Sequence, residues 1–174
     1  MGAQQGLVHI YTGTGKGKTT AAVGLCVRAL GAGKQVYFTQ FLKDGSSAEI
    51  SQLRALGATV DIPPQQAKFF AAMTEAEKER CRTAQQRALA GAVAAAADYD
   101  LVVCDEIMAA LALGTVKLDQ VCALIDGRAP GCELVLTGRG APAELVERCD
   151  YLSDIQCKKH PYEQGIAARR GIEY

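Results

Sequence analysis

The stretch TGTGKGKTT, at residues 12–20, combines the residue types that can hold the phosphates of a nucleotide. Lys18 can reach phosphate oxygens, and the hydroxyl of Thr19 can ligate a divalent cation. Glycine adopts positive φ without steric cost, so three glycines allow the backbone amides to turn toward an anion; they are Gly13, Gly15 and Gly17. We therefore predict a phosphate-binding loop, although Thr12 stands where the usual motif has its first glycine.

Two adjacent carboxylates, Asp105 and Glu106, follow the apolar run LVVC. They would emerge at the carboxyl end of a buried strand, where ligands bind in open α/β sheets. One or both would complete the shell of a Mg²⁺ ion opposite Thr19. In a hydrolase the second carboxylate often orients an attacking water, and the spacing alone leaves that alternative open.

Two arginines could contact the rest of a nucleotide. Arg139 follows the apolar run ELVLT, so it would lie on the same rim of the sheet and could hold a polyphosphate oxygen. Arg28 lies about three turns into the helix after the loop and could reach the nucleoside. At both positions the alternative is an ordinary exposed surface charge, and the sequence leaves it open.

These residues need a scaffold in which strands and helices alternate. Short apolar runs, such as residues 7–13 and 35–41, predict buried strands, and the pattern at 18–30 predicts a helix between them. The motif TEAE, which begins at Thr74, is a capping box that predicts the start of the longest helix. We predict an α/β fold with a mostly parallel central sheet and helices on both faces.

The composition is that of an ordinary globular domain. We predict a single nucleotide-binding domain over residues 1–174, in which residues 155–174 form an irregular C-terminal strap. The 19 basic residues balance 19 acidic ones, so charge gives no argument for nucleic acid or a membrane as partner. Seven cysteines without a Cys-x-x-Cys pair, and the lack of a signal peptide pattern, predict a reduced, cytoplasmic protein.

Several motifs together resemble the ATP:corrinoid adenosyltransferases over nearly the whole chain. The motifs stand in the same order as in that family and are TGTGKGKTTAAVGLCVRALG, YFTQFLKDG, YDLVVCDEI, LVLTGRGAP and KKHPYEQGIAARRGIEY. The resemblance implies a RecA-like phosphate-loop fold. It also implies that a reduced corrinoid, such as cobalamin or cobinamide, attacks the 5′-carbon of ATP through Co(I) and expels the whole triphosphate, with Mg²⁺ or Mn²⁺ bound.

The resemblance also implies roles for individual residues. Lys16, Lys18 and Arg139 would stabilise the charge that develops on the departing triphosphate. Thr19 and Glu106 would be the best metal ligands, with Asp105 as an alternative. Arg28 would contact the nucleoside. The remaining residues implied to bind the substrates are Thr12, Gly13, Thr14, Gly15, Gly17, Thr20, Gln40 and Lys43.

The chain departs from the family pattern in three places. The family commonly has a Phe-x-Trp pair under the corrinoid ring, whereas this chain has no tryptophan and has only Phe69 and Phe70 near that place. Those two side chains either shield the lower face of the cobalt or plug the core. Only six residues precede the first strand, and Met108 stands among small apolar residues where many relatives have polar or aromatic ones.

The resemblance implies a homodimer and an electron donor such as a flavoprotein. A RecA-like ATPase that works on a partner would have a similar loop and Asp-Glu pair, but it would release orthophosphate steadily. A regulatory module would bind ATP tightly and form no product.

Overall fold

The computed structural model describes residues 5–64 and 68–173, which form one six-stranded sheet with helices packed against it. The strands are β1 Val8–Thr12, β2 Val36–Gln40, β3 Thr59–Val60, β4 Leu101–Asp105, β5 Glu133–Thr137 and β6 Tyr151–Asp154. Their order across the sheet is β3-β2-β4-β5-β1-β6. All the pairings between these strands are parallel.

Six α-helices connect the strands of the described chain. They are α1 Lys18–Gly31, α2 Glu49–Ala55, α3 Glu75–Asp98, α4 Ile107–Ala112, α5 Leu118–Gly127 and α6 Ala143–Val146, with 3₁₀ turns at Phe70–Ala72 and Pro161–Gln164. The capping box of α3 is confirmed. The Glu77 amide donates to Thr74 Oγ1 at 3.3 Å, and the Thr74 amide donates to Glu77 Oε2 at 2.6 Å.

The core has two parts, one on each face of the sheet. On one face α1 and α2 pack through Ala22, Cys26 and Leu53 against Phe38 of β2. On the other face α3, α4, α5 and α6 cover β1, β4 and β5. Both faces are buried because each parallel connection carries a helix back across the sheet. The predicted α/β class with a parallel sheet and helices on both faces is therefore confirmed.

Two elements were not foreseen. Helix α4 has only six residues, too few for a helical period to be visible, and it follows β4 directly. Strand β6 is four residues long and exposed along its whole length at the edge of the sheet, so it lacks the apolar run by which the other strands were recognised. Helix α6 is also short, with four residues at Ala143–Val146.

One edge of the sheet collects the groups that could do chemistry. Strands β1, β2, β4 and β5 are parallel, so their carboxyl ends lie along the same edge. The register pairs Gln40 with Asp105 and Tyr11 with Thr137 there. Among the described residues, no helix is both long and apolar enough to cross a membrane.

Candidate functional site

The predicted phosphate-binding loop joins β1 to α1. Gly13 and Gly17 have φ values of 102° and 120°, which side chains other than glycine rarely adopt. Lys18 is only 7 % exposed, and its Nζ donates to the carbonyls of Gly13 at 2.9 Å and Gly15 at 2.8 Å. The lysine thus lies inside the loop, where the carbonyl oxygens hold its ammonium group.

Charges around the loop act on this lysine. Burial lowers the pKa of Lys18 from its ordinary value, and the positive charge of the exposed Arg139 acts in the same direction. The carboxylates of Glu106 and Asp105 oppose that change. Arg139 therefore lies close enough to act on the loop through its field, as expected of a residue on the same rim.

Asp105 is the centre of the hydrogen-bond network at this edge. Its side chain is fully buried and accepts four hydrogen bonds. Oδ1 accepts from the hydroxyls of Thr19 at 2.8 Å and Thr137 at 2.7 Å. Oδ2 accepts from Gln40 Nε2 at 3.1 Å and Lys43 Nζ at 2.9 Å. One carboxylate therefore ties the first turn of α1 to the ends of β2 and β5.

Glu106 occupies a different position from its neighbour. Its backbone is left-handed, with φ 62°, and its amide donates to Thr137 Oγ1 at 2.9 Å. The chain turns sharply there into α4, and the Glu106 carboxylate still raises the pKa of Lys18 more than Asp105 does. The structure brings Asp105, rather than Glu106, against the Thr19 hydroxyl, and Glu106 as a metal ligand stays a prediction.

The oxygen atoms at this edge fit a hard divalent cation. Thr19 Oγ1 and Asp105 Oδ1 lie 2.8 Å apart, and beside them Gln40 Oε1 is buried without a hydrogen-bond partner. Within residues 5–64 and 68–173, no group of three or more His, Cys, Asp or Glu side chains could enclose a metal ion. The oxygens of Thr19 and Asp105 fit Mg²⁺, which binds through one or two protein oxygens together with substrate phosphates and water.

The C-terminal strap lies directly on the loop. The Ile155 amide donates to the Thr12 carbonyl at 2.9 Å, and the Gly15 amide donates to the Ile155 carbonyl at 2.6 Å. The Cys157 amide donates to Thr14 Oγ1 at 3.2 Å. A side chain at Gly15 would come within 2.8 Å of Ile155, so the strap itself requires a glycine there. The beginning of the strap therefore lies beside the loop.

Phe69 and Phe70 line an open cavity of about 540 Å³ with Leu42, Lys43 and Met73. Phe69 is 90 % exposed, and the ring of Phe70 lies 5.9 Å from Lys78 Nζ and 5.8 Å from the guanidinium carbon of Arg82. An aromatic side chain with so little burial is not part of the core. Phe69 is therefore not a core plug, and a role at the lower face of the cobalt stays a prediction.

Arg28 lies away from this site. Helix α1 runs back toward the amino ends of the strands, so ten residues after Lys18 the chain is about 15 Å further along the helix axis. There Arg28 lines a cavity of about 290 Å³ with Lys34, Asp100 and Glu133. The structure does not bring Arg28 to the loop, and its contact with the nucleoside stays a prediction. Thr20 is exposed on the first turn of α1.

The family model of ATP:corrinoid adenosyltransferase BtuR/CobO/CobP matches residues 4–174, nearly the whole chain. The chain belongs to this family. A corrinoid adenosyltransferase of Pseudomonas aeruginosa is 31 % identical over 172 residues, which cover 98 % of this chain and 85 % of the relative. The corresponding proteins of Escherichia coli K12 and Salmonella typhimurium are each 30 % identical, and each alignment covers 98 % of this chain and 87 % of the relative.

Membership of the adenosyltransferase family confirms the resemblance drawn from the motifs.

One residue of the hydrogen-bond network around Asp105, Thr137, was not predicted. Its hydroxyl donates to Asp105 and accepts from the Glu106 amide, so it holds the backbone turn between these two residues. The available signal was its place as the last residue of the strand ELVLT, two residues before Arg139.

Proposed function

We propose that the protein transfers the 5′-deoxyadenosyl group of ATP to the Co(I) centre of a reduced corrinoid and releases triphosphate. The observation that carries the proposal is the position of Lys43. Its Nζ donates to Asp105 beside the phosphate loop, and its side chain also lines the Phe69 and Phe70 cavity. One residue thus joins a phosphate site to an open aromatic cavity, as a transfer between two bound substrates requires.

The loop would hold the leaving group of this reaction. An electron pair on Co(I) forms the bond to C5′ of ATP while the C5′–O bond breaks, and the bonding electrons leave with the triphosphate. Lys18 would exchange the carbonyls of Gly13 and Gly15 for phosphate oxygens. Lys16 and Arg139 would add positive charge where negative charge develops. No general base is required, because the nucleophile carries no proton.

Thr19 and Asp105 are the residues that would hold a Mg²⁺ ion, and Glu106 is the alternative to Asp105. Bound Mg²⁺ would neutralise negative charge on the triphosphate oxygens. Gln40 and Lys43 hold Oδ2 of Asp105, which leaves Oδ1 directed toward Thr19 and the loop. The described network therefore orients the carboxylate before any ion is bound.

The corrinoid would bind beside Phe69 and Phe70. Stacking of these rings on its lower face would exclude the axial base and water, so that the cobalt reaches the four-coordinate form in which Co(I) is accessible. We further propose a homodimer, a flavoprotein as electron donor and a cytoplasmic location. Seven free cysteines, four of them buried, support a reducing compartment.

A single reaction separates this function from its rivals. The protein is incubated with ATP, Mg²⁺ and chemically reduced cobalamin, while the corrinoid spectrum and the released phosphate species are followed. We expect a light-sensitive adenosylated corrinoid and one triphosphate for each product molecule. Steady orthophosphate release without a spectral change would instead indicate an ATPase, and tight ATP binding without any product would indicate a regulatory module.

A further inference from the structure

A third cavity, of about 320 Å³, lies between the phosphate loop and the C-terminal strap. Most of its charged groups are cations, although the chain as a whole has equal numbers of basic and acidic residues. The side chains that matter for its chemistry are Lys16, Lys158, Lys159, His160, Arg169 and Glu173. Four permanent cations against one carboxylate make this a local anion-binding surface.

The cavity is continuous with the phosphate loop. Gly15 and Lys16 belong to the loop and also line the cavity. The strap that forms the opposite wall begins on the loop, because the Gly15 amide donates to the Ile155 carbonyl and Thr14 Oγ1 accepts from the Cys157 amide. A phosphate chain that extends from the loop past Lys16 would therefore enter a space whose cations are already in place.

The acidic side chain in this cavity is bound as a phosphate would be. Glu173 Oε2 accepts from the Arg169 amide at 2.8 Å and from its Nε at 3.2 Å, and Oε1 accepts from Nη2 at 3.0 Å. These hydrogen bonds, with a smaller contribution from the charge of Lys16, lower the pKa of Glu173 to about 2. An arginine fork of this geometry binds carboxylate and phosphate alike.

We propose that this cavity is a binding subsite for the far end of a polyphosphate chain, held by Lys16 and Arg169, and that Glu173 occupies the Arg169 fork when the subsite is empty. The ligand class is a linear polyphosphate, either free tripolyphosphate or the phosphate chain of ATP. The proposal rests on the proposed function only for the source of the tripolyphosphate. Because the carboxylate competes for the fork, Glu173 weakens polyphosphate binding and thereby favours release of the product.

The test is calorimetric titration of the nucleotide-free protein with inorganic tripolyphosphate and, separately, with ATP. The variants are Arg169→Gln and Glu173→Gln, with Arg170→Gln as the matched control, because Arg170 is the adjacent exposed arginine and does not line this cavity. We expect Arg169→Gln to weaken tripolyphosphate binding about fivefold and Glu173→Gln to tighten it about threefold. Arg170→Gln should stay within about twofold of the unchanged protein.

The ATP titration distinguishes the two sources of the ligand. If the subsite holds the phosphates of ATP before reaction, Arg169→Gln weakens both ligands equally. If it holds only the separated product, Arg169→Gln weakens tripolyphosphate alone. Both results support the subsite.

Equal effects of Arg169→Gln and Arg170→Gln would overturn the proposal, because they would indicate diffuse surface charge. Unchanged or weaker binding in Glu173→Gln would overturn the competition. The adenosylation assay on the same proteins separates this proposal from the proposed function. Adenosyl transfer by a protein that fails the titration refutes only the subsite, and the expected titration pattern without adenosyl transfer refutes only the function.

Discussion

Replacement of Asp105 by Asn should destabilise the nucleotide-free protein. The carboxylate is fully buried and accepts from two hydroxyls, one amide and the Lys43 ammonium, at 2.7 to 3.1 Å. Asn keeps the shape but removes the charge. Its NH₂ group can face the hydroxyls of Thr19 and Thr137, which then rotate to accept, so those contacts survive in weaker form.

The substitution Asp105→Asn removes the charge-dependent part of this hydrogen-bond network. Lys43 then faces a neutral oxygen, and its side chain is 31 % exposed, so part of the lost attraction is recovered from solvent. Weakened charge-assisted hydrogen bonds and a broken ion pair together amount to about 3 kcal/mol. For a chain of this length that change lowers the melting temperature by about 6–12 °C.

Thermal unfolding followed by circular dichroism, without nucleotide or metal, measures this effect. Glu106→Gln is the matched control, because it removes the adjacent carboxylate from a half-buried position. Its melting temperature should change by no more than about 2 °C. If Asp105→Asn melts at the same temperature as the unchanged protein, or higher, Asp105 does not stabilise the fold through this network.

Three further outcomes follow from particular residues. Gly24 lies on the exposed face of α1 with open space around it, so Gly24→Ala should raise the free energy of unfolding by about 0.5–1 kcal/mol. In Gly91→Ala, in α3, the new methyl group would overlap the Tyr37 hydroxyl, so the free energy of unfolding should fall. Chemical denaturation measures both changes. Contacts of Glu77 with Lys68 and Thr74 lower its pKa from 4.5 to about 2. The stability that Glu77 contributes is therefore present above pH 4.5 and is lost as the pH falls toward 2. The melting temperature of Glu77→Gln should accordingly decrease less than that of the unchanged protein over this pH window. Phe70→Ala should slow adenosylation of a base-liganded corrinoid more than that of a four-coordinate one, and equal slowing in single-turnover kinetics would argue against a role at the lower face.

Local features of this protein could be predicted because they depend on neighbouring residues alone. The phosphate loop, the strand that ends at Asp105 and the capping box at Thr74 are each written in a few consecutive residues. Their physical basis is local: glycine torsions, apolar runs and short-range hydrogen bonds. The alternation of strands and helices likewise determined the α/β class before any contact was known.

Roles that depend on distant contacts could be decided only by the tertiary structure. Asp105 and Glu106 are equivalent in sequence, but the side chains of a strand alternate between its faces. Asp105 therefore points toward α1, while the left-handed turn at Glu106 leads into α4. Arg28 matched a motif by position, yet the direction of α1 carries it to the opposite edge of the sheet.

Three glycines likewise show which features are local and which depend on tertiary contacts. The loop sequence predicts that the Gly15 amide faces phosphate, but in the fold this amide donates to the Ile155 carbonyl, 140 residues later in the chain. Gly24 and Gly91 both lie inside helices, and helix propensity treats them alike. Only the approach of Tyr37 makes Gly91 necessary, because steric exclusion depends on what another segment of the chain brings to that point.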